Sequence, residues 1–278
     1  MNLSVLRDPQ RRSVCIVKVT KTVKRIVAQP AESRPIFVFG KQRSGTTMLM
    51  TVLNLHPDTE IFGEGPNNKA FKDCRIRGFD VLERLIAESR ARFVCFKPIA
   101  DSHLMGDFLR HFPDGRYVWL YRSYGDTARS SLKRFPHATA AIKKVCMGEG
   151  GGGWFQEGVS AASIRTLKEI YTLDMTDYDL ACLVWWARNR IFTELQLQAV
   201  PSMLLEKYEN LTTRPDESFG ALFKFLGMSN YKRAIQFIHT SERSQVRTDV
   251  LHPDVRVLCD ALTVELEQCL NQPRSHGY

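Results

Sequence analysis

A chain of 278 residues with 44% hydrophobic and 25% charged side chains carries enough apolar surface for a sizeable core, which excludes a disordered polymer. The formal net charge of +9 favours anionic or phosphate-bearing partners without choosing among them. Seven cysteines with no Cys-x-x-Cys pair argue against a disulfide framework and against a zinc site, and predict a reducing, cytoplasmic setting.

The chain opens with Arg7, Arg11, Arg12, Lys18, Lys21, Lys24 and Arg25 against Asp8 alone, so residues 1–33 read as a basic extension. Charges flank Val14-Cys15-Ile16-Val17, which predicts neither a signal-peptide core nor a membrane span. Residues 34–278 read as a single domain. Ile36–Phe39 is a continuous apolar run, the pattern of a parallel strand buried on both faces. After a turn over Gly40–Gly45, Thr46–Leu55 reads as a helix that stops before Pro57. Phe93–Phe96 is a second buried strand in which Cys95 is a core residue, and a helix follows over 101–112. Arg116–Tyr121 is a third strand, leading into a helix near 125–134. The run Gly-Glu-Gly-Gly-Gly-Gly at 148–153 resists regular structure and reads as a linker or as a cover over a binding site. Residues 179–198 form the clearest amphipathic helix, with Leu180, Leu183, Val184, Ala187, Ile191, Phe192 and Leu195 on one stripe and Trp185 and Trp186 as core or interface aromatics. A strand at Ser202–Glu206 and helices at Pro215–Leu226 and 253–270 complete the chain. Strand–helix alternation of this kind predicts an α/β fold in three layers, a central parallel sheet flanked by helices.

The chemistry starts at the first turn. Gly40, four residues, Gly45 and two threonines opening a helix make a phosphate cradle: glycine permits close backbone approach, and the free N–H groups of the helix start face the anion. The fold is therefore of the P-loop type. The nucleotide triphosphatase pattern needs Lys after the second glycine, where this chain has Thr46; its cation stands inside the loop instead, at Arg43. A nucleotide kinase or triphosphatase with a degenerate loop is the rival reading, and a nucleic-acid binder using the basic extension is a third.

Gly40-Lys41-Gln42-Arg43-Ser44-Gly45-Thr46-Thr47 resembles the 5′-phosphosulfate loop of sulfotransferases that use 3′-phosphoadenosine 5′-phosphosulfate (PAPS). Arg122 at a strand end with Ser130 eight residues on is similar to the pair that grips the donor's 3′-phosphate in that family. Leu205–Leu211 is similar to the family's Tyr-Glu-x-Leu segment, which makes Tyr208 a contact for the adenine end. Ser241–Arg247 loosely resembles a loop that closes over the donor, and nominates Ser244 and Arg247.

Cytosolic small-molecule members of the family carry a catalytic His in Lys-Thr-His, but the corresponding stretch here is Lys97-Pro98-Ile99. Arg43, His56-Pro57-Asp58, Gly63-Glu64 and Lys97-Pro98 look closer to the tyrosylprotein sulfotransferase branch, which implies Glu64 as base, with His103 as runner-up. Burial beside Ile61 and Phe62 is expected to raise the Glu64 pKa. The resemblance implies in-line sulfuryl transfer with Arg43 and Lys97 stabilising the leaving phosphate and no metal. The preferred acceptor is a hydroxyl or amine of a small molecule, followed by a glycan or glycolipid and then a protein tyrosine. No nucleic acid beyond the nucleotide donor is implied as a partner.

Overall fold

The computed structural model describes residues 32–65, 68–135, 137, 139–149, 152–236, 238 and 251–272. The basic segment before Glu32, and Ser244 with Arg247, lie outside the described residues.

The strands are β1 (Arg34–Phe39), β2 (Thr59–Phe62), β3 (Phe71–Lys72), β4 (Arg75–Ile76), β5 (Phe93–Phe96), β6 (Arg116–Tyr121) and β7 (Met203–Lys207). The helices are α1 (Thr46–Leu55), α2 (Phe79–Glu88), α3 (Met105–His111), α4 (Tyr124–Arg134), α5 (Ala140–Met147), α6 (Ala161–Ile170), α7 (Asp177–Glu194), α8 (Tyr208–Thr213), α9 (Pro215–Phe225) and α10 (Pro253–Asn271). Five strands form one sheet in the order β2-β5-β1-β6-β7, every adjacent pair parallel, and β3 with β4 makes a small antiparallel ribbon.

The continuous apolar run of β1 has two destinations. Ile36 and Val38 join a core with Leu49 and Leu53 of α1 and Phe219 and Phe223 of α9. Phe37 and Phe39 point the other way, into the core of α3 and α7. Phe37 is the hub there, its ring centroid 5.0–5.4 Å from those of Phe96, Phe108, Phe112 and Tyr117. Both faces being covered is why alternation is missing from the sequence of this strand. Cys95 is a fully buried core residue.

The helix expected over 179–198 starts earlier and ends earlier, because Thr176 caps it: Asp179 N donates to Thr176 Oγ1 at 3.2 Å, and Thr176 N donates to Asp179 Oδ2 at 2.8 Å. It is not a surface amphipathic helix. Leu180–Asn189 is buried on every side, since α4, α5, α6 and α10 pack around it, whereas Leu195 of the expected stripe is 50% exposed. The segment expected as one helix over 101–112 is a 3₁₀ turn, Ile99–Leu104, followed by α3. The first strand begins at Arg34 rather than Ile36, and β2, α2, α5, α6 and α8 were not foreseen.

Replacing Phe37 with Ala removes the ring on which four others pack, and is expected to lower the unfolding free energy by about 3–5 kcal/mol in urea titrations. A loss below ~1 kcal/mol would contradict this placement of the core.

Candidate active site

Parallel pairing decides which residues meet beyond the carboxyl ends of the strands. Phe62 of β2 pairs with Phe96 of β5, their rings stacked 5.3 Å apart, so the segments leaving these strands emerge side by side. Glu64 and Lys97 lie on those segments and form an ion pair at 3.2 Å, each side chain only 12% exposed. Lys97 Nζ also reaches Thr47 Oγ1 at 3.4 Å, in the first turn of α1. Across the sheet, Tyr121 of β6 pairs with Lys207 of β7. The next residue of each strand follows suit: the Arg122 guanidinium lies over the Tyr208 ring, 4.6 Å from its centroid.

The turn that leaves β1 lies between these two pairs in the sheet order. Gly40 (φ 131°) runs against β6, where a Cβ would strike the Leu120 carbonyl oxygen. Gly45 (φ 93°) lies against the Tyr208 ring, which leaves no room for a side chain. Ser44 N donates to Lys41 O at 3.2 Å and closes the bend, and α1 starts at Thr46 with no side-chain cap, leaving its first N–H groups for another acceptor. Arg43 is exposed and holds a left-handed φ of 75°, an uncommon conformation for a residue that carries a Cβ. Gln42 is half-buried and Thr46 is buried.

Two cations of this turn end on adjacent serines of α4. Arg43 Nε donates to Ser130 Oγ at 3.0 Å, and Lys41 Nζ donates to Ser131 Oγ at 2.7 Å. Of the two residues expected to act together, Ser130 meets the loop through Arg43, while Arg122 lies over the Tyr208 ring that borders Gly45. Arg122 is braced by Asp126, 3.6 Å away, and by Trp185 Nε1, which donates to the Arg122 carbonyl at 2.8 Å. Ser44 Oγ and Arg122 Nε are buried without a hydrogen-bond partner among the described residues.

Burial raises the Glu64 carboxyl above its usual 4.5, and the Lys97 ammonium with the backbone N–H groups of Ala100 and Ile99 offsets this only in part. Lys41 is shifted further: burial first, then the positive Arg188 and Arg43, bring it from 10.5 to about 7, with Cys182 acting in the opposite sense. His103 stands apart from this group, its ion-pair partner being Glu157 at 3.5 Å, and burial lowers its pKa. His56 is a turn residue: its Nδ1 accepts from Asp58 N at 3.2 Å and its Nε2 donates to Ser229 O at 3.1 Å.

Sequence reasoning missed Ser131 and Arg188. Arg188, buried on α7, donates to the Glu157 carbonyl at 2.6 Å and to Ser102 Oγ, and so pins the chain that follows the glycine run. Its signal was an arginine directly after the apolar run Leu180–Ala187. Among the described residues no group of three or more His, Cys, Asp or Glu is arranged to hold a metal, and no helix is long and apolar enough to cross a membrane.

A parallel five-stranded sheet with a glycine-bounded anion loop after its central strand defines an α/β protein of the P-loop type. The model of the sulfotransferase domain family matches residues 33–251, and the chain belongs to that family. The described fold is similar to a crystal structure of a sulfotransferase from Mycobacterium avium, at TM-score 0.53 and 13% identity over 95% of this chain and 88% of that one. It also matches a sulfotransferase from Alicyclobacillus acidocaldarius, at TM-score 0.44 and 19% identity over 86% of this chain and 94% of that one. A comparison with curated protein sequences found no match.

Lys41 gives the site a testable signature. It releases its proton near pH 7 when folded and near 10.5 when unfolded, so between these values the unfolded chain binds more protons and stability rises with pH. Lys41→Met removes that slope. Its stability relative to the parent, read from urea midpoints, is expected to be highest below pH 7 and to fall as pH rises towards 10.5. A pH-independent difference would show that Lys41 is not buried as described.

Proposed function

We propose that the protein transfers the sulfuryl group of PAPS to a hydroxyl or amine of a small molecule. One observation carries this reading: a phosphate cradle with its cation inside the bend touches Ser130 through a direct Arg43–Ser130 hydrogen bond and is bordered by Tyr208, over which Arg122 lies. Cations on both sides of one turn suit a nucleotide with phosphate at both the 5′ and 3′ positions of its ribose. The buried, unpartnered Ser44 Oγ and Arg122 Nε fit such a ligand, because each is a donor that a phosphate oxygen would satisfy.

In this reading the N–H groups of residues 44–47, with Gln42, Thr46 and Thr47, form the cradle for the 5′-phosphosulfate, and Lys41 belongs to the cradle through the loop it holds against Ser131. Arg122 and Ser130 take the 3′-phosphate, and Tyr208 borders the adenine side. Glu64 accepts the acceptor's proton while the acceptor oxygen or nitrogen bonds to sulfur. The bond from sulfur to the 5′-phosphate oxygen breaks, its electron pair stays on that oxygen, and the products are the sulfated acceptor and 3′,5′-ADP. Arg43 and Lys97 stabilise the developing phosphate charge; positioning and electrostatics supply most of the catalysis, as in the related phosphoryl transfers.

The raised pKa of Glu64 supports its choice as base, since a carboxylate less acidic than usual holds a proton better near neutrality. Among the described residues Cys74, Cys95, Cys146, Cys182, Cys259 and Cys269 are all free thiols, which supports a reducing, cytoplasmic setting. Residues 34–278 act as one catalytic domain in this reading.

Titration calorimetry tests the donor: 3′,5′-ADP is expected to bind without magnesium and more tightly than ATP with it, and the reverse order would refute the assignment. Arg122→Ala is expected to weaken 3′,5′-ADP about 10–100-fold, the range for a charge-assisted hydrogen bond, while adenosine 5′-phosphosulfate changes little. Equal losses for both ligands would remove Arg122 from the 3′ site. Glu64→Gln is expected to bind donor normally and to lose about 10²–10⁴ in kcat. In the parent enzyme the acid limb of the rate profile is expected above 4.5, the usual glutamate value, because Glu64 must be ionised to act. Unchanged turnover in the variant would move the base elsewhere.

A further inference from the structure

The phosphate loop contains two cations that behave differently. Arg43 is exposed, as loop cations usually are. Lys41 is 5% exposed, although a flexible four-carbon stem at a surface turn ordinarily lets the amine reach water. Its Nζ instead ends on Ser131 Oγ at 2.7 Å, in a buried hydrogen bond spanning from the loop to α4. Burying an amine beside Arg43 and Arg188 is costly, and an apolar side chain of the same length would fill the space at less cost. The hydrogen bond to Ser131 is what the lysine adds.

Ser131 directly follows Ser130, and successive helical residues project about 100° apart, so one serine can face the site while the next faces inward. The loop therefore meets α4 twice. The contact at the mouth, Arg43–Ser130, is exposed and competes with water, whereas Lys41–Ser131 behind it does not. On its other side the loop is held off by the Tyr208 ring against Gly45.

We propose that Lys41 is a positioning residue: through Ser131 it fixes the phosphate loop to α4, so that the loop and the Arg122–Ser130 pair stay at one spacing. This rests on the PAPS reading above, because only a ligand with phosphate at both ends senses that spacing. Lys41 then affects the two ends jointly and neither alone. Releasing it costs little for a ligand with one phosphate, which can use either half of the site.

The test compares 3′,5′-ADP, adenosine 5′-phosphate and adenosine 3′-phosphate by titration calorimetry on the parent, Lys41→Met, Ser131→Ala, Ser131→Thr and the Lys41→Met/Ser131→Ala double variant. Each of Lys41→Met and Ser131→Ala is expected to weaken 3′,5′-ADP about tenfold, the equivalent of one hydrogen bond, and each monophosphate by less than about threefold. The double variant is expected to be no weaker than Lys41→Met, and Ser131→Thr, which keeps the hydroxyl, to restore most of the affinity. Melting temperature is followed throughout, and Lys41→Met is expected not to lower it. An equal loss for all three ligands would reduce Lys41 to a structural role and overturn the proposal. So would normal binding by Ser131→Ala beside impaired Lys41→Met, which would make Lys41 a direct donor contact. Should Lys41→Met fail to fold, Ser131→Ala without the selective loss overturns the proposal alone. Failure of the parent protein to bind 3′,5′-ADP would instead remove the PAPS reading, and this inference with it.

Discussion

The register of the parallel sheet is the constraint on which the site depends. Because Phe62 pairs with Phe96 and Tyr121 with Lys207, the residues beyond those pairs have little freedom in choosing neighbours. Glu64 meets Lys97, and Arg122 meets Tyr208, as consequences of strand pairing one or two residues earlier. A one-residue slip in either ladder would turn successive side chains to the opposite face of the sheet and separate both pairs. The aromatic contacts on Phe37, in the central strand, help hold that register from below.

On this frame the loop after β1 is confined by two close approaches, Gly40 against the β6 backbone and Gly45 against the Tyr208 ring. Confinement concentrates positive charge where the first N–H groups of α1 are also free. Lys41, Arg43, Arg122 and Lys97 reach this region from three different strand ends, and Glu64 is the carboxylate that Lys97 meets there. In the proposed reaction these oriented donors face the charge that develops on the leaving oxygen, and in a partly buried site they need little reorganisation.

Much of this was legible in the sequence for identifiable reasons. Gly40, Gly45 and the Thr46–Thr47 helix start have fixed offsets set by the turn itself, and Ile36–Phe39 is apolar on both faces because both faces are buried. Arg122 could be read from its place at a strand end. The edge strand Thr59–Phe62 was hidden, being short, carrying Glu60 within it, and having only β5 as a partner among the described residues. Glu64 was named through its motif, but its contact with Lys97 depends on the β2–β5 register, which no local periodicity encodes. Lys41 was legible only as a member of the loop motif and Arg188 was not singled out; their burial is a tertiary fact that local sequence does not encode. The same packing hid the true character of α7, whose stripe pattern concealed a helix surrounded by neighbours.

The central claim is that one nucleotide bridges the glycine-bounded turn and the arginine at the end of β6. A crystal structure with 3′,5′-ADP tests it most directly. The account predicts the 5′-phosphate on the backbone of residues 44–47 and the 3′-phosphate on Arg122 and Ser130, with Ser44 Oγ and Arg122 Nε then hydrogen-bonded. A bisphosphate bound elsewhere, or in this place with its 3′-phosphate turned to solvent, would contradict it.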